Sequence, residues 1–147
     1  MEAYLDNSAT TKCAAEVVET AVKVMSEDYG NPSSKHMKGV DAENSIREAK
    51  EVIAKTLKCQ DKEILFTSGG TETTNMAIIG TAMANKRKGM HCIVSSVEHS
   101  SVKEPFNFLE KEGFRITYLP VDKDGIVDIE ALKNALDDET ILVSVMY

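Results

Sequence analysis

The chain has 147 residues, enough for one domain with a proper core, and its 42% hydrophobic and 28% charged residues are ordinary for a globular protein. A formal net charge of −7, without any lysine- or arginine-rich run, argues against sequence-independent nucleic-acid binding. No apolar run approaches a membrane span, the N-terminus lacks a signal-peptide core, and Cys13, Cys59 and Cys92 fit reduced thiols of a cytosolic protein. Those cysteines and His36, His91 and His99 match no metal-site spacing.

Tyr4-Leu5 reads as a short extended piece leading into the polar run Asp6-Asn7-Ser8-Ala9-Thr10-Thr11. This run either lines a site or caps the next helix, and capping suits Thr10 and Thr11 better. Val17, Val18, Ala21, Val24 and Met25 recur at helical spacing and predict a helix from about Lys12 to Asp28. Gly30-Asn31-Pro32-Ser33-Ser34 stops it. A second helix is expected from about Lys38 to Leu57, with Ile46, Ala49, Val52, Ile53 and Leu57 as its apolar stripe.

From Glu63 onward the pattern alternates. Ile64-Leu65-Phe66 reads as a buried strand. Met76, Ala77, Ile78, Ile79, Ala82 and Met83 read as a largely buried helix ending near the basic stretch Asn85 to Gly89. His91–Ser95 is the next strand, and Ser100–Lys111 a helix in which Pro105 fits only within the first turn. Phe114–Leu119 is a strand, Asp128 caps a short helix through Leu136, and Thr140–Met146 is a near-continuous apolar strand. That last strand reads as central and buried on both sides. Alternation with short loops implies an α/β fold, a mostly parallel sheet flanked by helices and preceded by two helices. The expected organisation is an N-terminal segment, 1–62, followed by the first part of an incomplete α/β domain, 63–147. A buried central strand is an odd place for a domain to stop, so the chain reads as the N-terminal part of a longer protein.

The stretch from Glu63 to Asn75 joins a strand to a helix through Gly69 and Gly70, with Thr71, Thr73 and Thr74 opening the helix. The first N–H groups of a helix have no internal acceptor, and the helix dipole adds positive charge there. Glycines allow close approach of a phosphate, and threonine hydroxyls add donors. The spacing is neither that of a Walker A loop nor of a dinucleotide fingerprint. A plain strand-to-helix turn capped by Thr71 explains the same residues, so both readings stand at this point. In an open parallel sheet ligands bind outside the carboxyl ends of the strands, which brings the Ser68-Gly69-Gly70-Thr71 loop and Ser96 to Ser100 to one edge. His99 there either stacks on a ring and exchanges a proton, or caps the helix starting near Ser100.

Taken together, Leu5-Asp6-Asn7-Ser8-Ala9-Thr10-Thr11, Gly30-Asn31-Pro32-Ser33-Ser34, Phe66-Thr67-Ser68-Gly69-Gly70-Thr71-Glu72 and Glu98-His99 resemble, in order and spacing, the N-terminal part of a cysteine desulfurase of the NifS/IscS type. This is a pyridoxal-phosphate enzyme of the class V aminotransferase group, and the resemblance covers essentially the whole chain. It implies a fold-type I homodimer that binds pyridoxal 5′-phosphate, while the cysteine pattern and the lack of metal-site spacing point to a cytoplasmic protein without a metal. Such an enzyme takes sulfur from L-cysteine, releases L-alanine and holds the sulfur as a persulfide for an iron–sulfur scaffold or another sulfur-acceptor protein. By the same resemblance Gly70 and Thr71 hold the cofactor phosphate, and His99 stacks on the pyridine ring and relays protons. Asn7, Ala9, Thr10 and Asn31 fall near the substrate or the dimer contact.

The chain departs from the family pattern in two respects. Lys12 stands where proline is usual. The Asn-Asn-Glu loop, the aspartate on the pyridine nitrogen, the Ser-x-His-Lys segment with its Schiff-base lysine and the cysteine loop do not occur within these 147 residues. The resemblance therefore implies that this chain alone is inactive. The competing readings are a selenocysteine lyase or other class V aminotransferase, and a non-catalytic module that binds a phosphate ligand.

Overall fold

The computed structural model describes residues 3–147; residues 1 and 2, where the first expected segment begins, lie outside the described residues. The chain forms two compact units, one ending at Leu65 and one running from Phe66 to Tyr147.

The first unit holds α1 (Ala15–Ser26), α2 (Met37–Leu57) and a short 3-10 turn at Asp61–Glu63. The expected capping by Thr10 and Thr11 is not found: α1 starts at Ala15 after Ala14, which offers no capping side chain. Residues 12–14 stay non-helical, so neither threonine reaches the first turn, and the Thr11 hydroxyl donates back to the Asn7 carbonyl at 3.3 Å. The turn between the helices needs its glycines for close approach. A Cβ on Gly30 would lie 1.9 Å from the Lys38 carbonyl oxygen, and one on Gly39 2.2 Å from that of Ser34. Lys38 Nζ donates to the Glu27 carbonyl at 2.6 Å and stands 4.8 Å from the centre of the Tyr29 ring, fastening the same turn. Helix α2 ends at Leu57 as expected. Lys58 takes a left-handed φ of 54°, and the Cys59 N–H reaches back to the Ala54 carbonyl at 3.0 Å.

The second unit holds α3 (Gly70–Asn85), β1 (His91–Ser95), α4 (Ser100–Lys111), β2 (Arg115–Leu119), α5 (Ile129–Ala135) and β3 (Thr140–Ser144). The strands form a parallel sheet in the order β2-β1-β3. All five residues of central β1 are buried. Cys92 and Val94 of β1 pack with Ile78 and Ala82 of α3, Phe106 and Leu109 of α4, and Phe114, as one apolar core. Gly89 lets the chain enter β1 beside β3, since a Cβ there would lie 2.2 Å from the Glu139 carbonyl oxygen.

The structure corrects four further expectations drawn from the sequence. Ile64-Leu65-Phe66 is no buried strand: Leu65 is 64% and Phe66 50% exposed, and no strand among the described residues pairs with them. A strand needs a ladder partner, and a short apolar run does not reveal whether one exists. Strand β3 is shorter than expected and lies at an edge of this sheet, half-buried, because only β1 flanks it among the described residues. Helix α3 begins at the glycine turn, as expected, but it is not largely buried: only Ile78 and Ala82 on its sheet-facing side are, whereas Met76 and Met83 are not. Pro105 lies in the second turn of α4, fully buried, and the helix continues past it. Proline removes the N–H that would bond to Ser101, and the Thr74 hydroxyl takes up that carbonyl at 2.9 Å.

Candidate functional site

The N-terminus of α3 presents open N–H groups beside two glycines. Thr73 N–H bonds to the Gly69 carbonyl at 3.1 Å, closing the first turn. The N–H groups of Gly70, Thr71 and Glu72 precede it and have no acceptor within a helix. A Cβ built on Gly69 or Gly70 meets no atom within 4 Å, so the glycines face open space. The loop before the helix is stapled down by its own hydroxyls. Thr67 Oγ1 lies 2.6 Å from Thr73 Oγ1, and both hydroxyls reach the Gly69 carbonyl. Glu72 turns back to Ser68, accepting from its N–H and its hydroxyl at 2.6 Å each. The Ser68 hydroxyl, and then its N–H, hold the Glu72 carboxyl below the usual carboxylate value. Ser68 is thus committed to Glu72, while Thr71 keeps an exposed hydroxyl beside the free N–H groups. Open space, unpaired donors and a dipole of the right sign fit a phosphate.

His99 is the N-cap of α4, so the capping reading left open by the sequence is correct in itself. Its Nδ1 accepts from the Ser101 N–H at 3.1 Å and lies 2.9 Å from Ser101 Oγ. Accepting from a backbone N–H fixes the lone pair on Nδ1, so the neutral ring carries its proton on Nε2. The ring is exposed, which leaves its face and Nε2–H open to a ligand. Capping and ligand contact use different parts of the imidazole and do not exclude one another.

The two helix starts are held together by the packing of α3 on α4 and by the hydrogen bond from Thr74 to Ser101, two residues past His99. The Ser96 to His99 loop is anchored at the carboxyl edge of the sheet. Ser96 N–H bonds to the Leu119 carbonyl at 3.0 Å, and the buried Glu98 carboxylate accepts from Ser144 Oγ at 3.0 Å. Met146 N–H donates to Ser95 Oγ at 3.3 Å at the same edge. Sequence alone does not reveal the bonds of Thr74, Glu98 or Ser144. Their bonds span 27 and 46 positions, and no local pattern betrays them.

The remaining candidates lie in the first unit. Asn7, Ala9 and Thr10 form a tight turn closed by bonds from the Ala9 and Thr10 N–H groups to the Asp6 carbonyl, at 3.2 and 3.3 Å. Asn7 Nδ2 donates to the Tyr4 carbonyl at 3.4 Å. Asn31 Oδ1 accepts from the Ser33 N–H at 2.9 Å and shapes the turn before α2. No hydrogen bond among the described residues joins Asn31 to the Asn7–Thr10 turn. His36 precedes α2 without a side-chain cap bond. His91 is fully buried at the amino edge of the sheet, with Nδ1 near Thr140 Oγ1 and Asp137 Oδ1 and Nε2 2.8 Å from Thr117 Oγ1. It ties the three strands together and faces no open site. Cys92 is buried core, and burial raises its thiol pKa.

Comparison with known proteins gives the family. Residues 3–147 match the family described as Aminotransferase class-V. "Cysteine desulfurase IscS" of Dictyoglomus turgidum is 53% identical over 146 residues, which cover 99% of this chain and 37% of that protein. A protein of the same description from Methanosarcina thermophila is 49% identical over 144 residues, covering 98% of this chain and 36% of that one. The chain therefore spans little more than a third of these relatives. Among solved structures, a "NifS-like protein" superposes with a TM-score of 0.94 at 37% identity, over 99% of this chain and 40% of its own. "SspA in complex with cysteine" superposes with a TM-score of 0.86 at 36% identity, over 94% and 40%. The parallel sheet, its flanking helices and the match along nearly every residue place the chain in the class-V aminotransferase family.

Proposed function

We propose that this chain supplies the phosphate cradle and a ring-stacking histidine of a pyridoxal-phosphate-dependent cysteine desulfurase. The observation that carries the reading is the pinning of two helix starts side by side, one with free N–H groups and one bearing an exposed imidazole. The Gly70, Thr71 and Glu72 N–H groups and the Thr71 hydroxyl bind the phosphate. His99 lays its ring face on the pyridine and holds a proton on Nε2 for transfer near the substrate. When bound, pyridoxal 5′-phosphate supplies the electron sink that loosens bonds at the substrate α-carbon. The turn at Asn7, Ala9 and Thr10, and Asn31, lie on the substrate side or at a contact between two copies of the protein.

The reaction is removal of sulfur from L-cysteine, giving L-alanine and a persulfide on an enzyme cysteine. Its sulfur goes to an iron–sulfur scaffold or another acceptor protein, and the enzyme works as a cytoplasmic homodimer. Among the described residues no helix is long and apolar enough to cross a membrane. The sequence of 147 residues contains no Ser-x-His-Lys segment, so this chain by itself does not turn over. The test is incubation of the full-length protein and of this chain with L-cysteine and pyridoxal 5′-phosphate, following alanine and sulfide. The full-length protein releases both and the short chain neither. Absence of alanine from the full-length protein, or its release by the short chain, overturns this reading.

A further inference from the structure

We infer that Thr74 and Pro105 form a clamp that sets the phosphate cradle against His99. The inference rests on the reading of Gly70, Thr71 and His99 as one pyridoxal-phosphate site, and it assigns the residues that hold that site in register. Three carbonyl oxygens lie within reach of the single Thr74 hydroxyl proton: Gly70 at 3.0 Å, Thr71 at 3.1 Å and Ser101 at 2.9 Å. Gly70 and Thr71 belong to α3, and their carbonyls face the N–H groups of its next turn. The Ser101 carbonyl faces Pro105, which has no N–H to give. It lies in a part-buried contact, where an unpaired carbonyl is costly, so the proton goes to Ser101.

The consequence is positional. Ser101 is the residue whose N–H and hydroxyl meet His99 Nδ1, so a bond to its carbonyl holds in place the residue that orients the imidazole. Thr74 is one helical turn from Gly70, so the same bond fixes the cradle. A proline buried inside α4 thus opens an acceptor, and a threonine of α3 uses it to join the two halves of the site. Thr74 touches neither phosphate nor ring and acts as a positioning residue.

The test is made on the full-length protein with Thr74→Val, Thr74→Ser, Pro105→Ala and the Thr74→Val/Pro105→Ala double variant. The readouts are the dissociation constant for pyridoxal 5′-phosphate and the visible absorption maximum of the bound cofactor. Thr74→Val, which keeps shape and loses the donor, weakens binding about fivefold to tenfold and shifts the absorption maximum. Thr74→Ser, which keeps the hydroxyl, stays within about twofold of the parent. Pro105→Ala supplies a competing N–H to Ser101 and weakens binding by itself. Because both residues act on one bond, the double variant binds no worse than the weaker single. Wild-type affinity and spectrum in Thr74→Val, equal loss in Thr74→Val and Thr74→Ser, or additive losses in the double variant overturn the clamp. If Thr74→Val does not fold, Thr74→Ser and Pro105→Ala decide by the same criteria. A parent protein that binds no pyridoxal 5′-phosphate overturns the cofactor reading and the clamp with it, and is thereby distinct from failure of the clamp alone.

Discussion

His99 is assigned two tasks by two parts of one ring, and two substitutions separate them. Its Nδ1 caps α4 by accepting from the Ser101 N–H at 3.1 Å, while the exposed face and Nε2 are, in the proposed reading, left for the cofactor. His99→Ala removes both. Loss of an N-cap acceptor costs about 1 kcal/mol, and the Ser101 N–H left behind is exposed to water, which keeps the cost at that level. His99→Asn restores an acceptor at the cap position, so its stability stays within a few tenths of a kcal/mol of the parent, about the spread among good capping residues. Neither variant has a ring to stack. A stacked aromatic pair contributes about 0.5–1.5 kcal/mol beyond the area it buries, which is about twofold to tenfold in affinity. Thermal unfolding of the full-length apoprotein and titration with pyridoxal 5′-phosphate read the two tasks independently. Only His99→Ala is expected to lower the unfolding midpoint, whereas both variants bind the cofactor more weakly and to a similar degree. Equal midpoints for the two variants would show that the cap is idle. Full affinity in His99→Asn would refute stacking.

Two further predictions concern the sheet. The Arg115 guanidinium, with help from Thr140 and the Glu139 N–H, holds the Asp137 carboxyl down from 3.8 to about 2. The stability it lends is therefore complete above about pH 4 and is lost as pH falls towards 2, so Asp137→Asn flattens this acid limb of an unfolding profile; an unchanged slope contradicts the assignment. Gly89→Ala forces a Cβ against the Glu139 carbonyl oxygen, where the gap is 2.2 Å, and costs about 1–3 kcal/mol through displacement of the chain beside β3. A variant as stable as the parent by denaturant unfolding would show that this approach is not tight.

Strand β1 and helix α4 begin and end where the sequence places them, because a compact apolar strand and a helix with a histidine-serine start carry strong local signals. The start of α3 is legible for the same reason: Gly69, Gly70 and Thr71 mark a helix start by residue type alone. What escapes the sequence is the part that depends on neighbours. Ile64-Leu65-Phe66 and Thr140–Met146 look alike as apolar runs, yet one has no ladder partner among the described residues and the other has β1 on one side only. Pro105 looks misplaced in a helix until Thr74, distant in sequence, is seen to satisfy Ser101. Thr10 and Thr11 have capping chemistry, but Lys12, Cys13 and Ala14 separate them from the first turn of α1.

The central claim is that the start of α3 holds a phosphate. It is tested most directly by measuring how tightly the full-length protein and its Thr71→Val variant bind pyridoxal 5′-phosphate and pyridoxal, which lacks the phosphate. The parent is expected to prefer the phosphorylated ligand strongly. Thr71→Val, losing one hydrogen bond to a charged group, should weaken that ligand about tenfold or more and leave pyridoxal unchanged. Equal weakening of both ligands, or no preference in the parent, would contradict the claim.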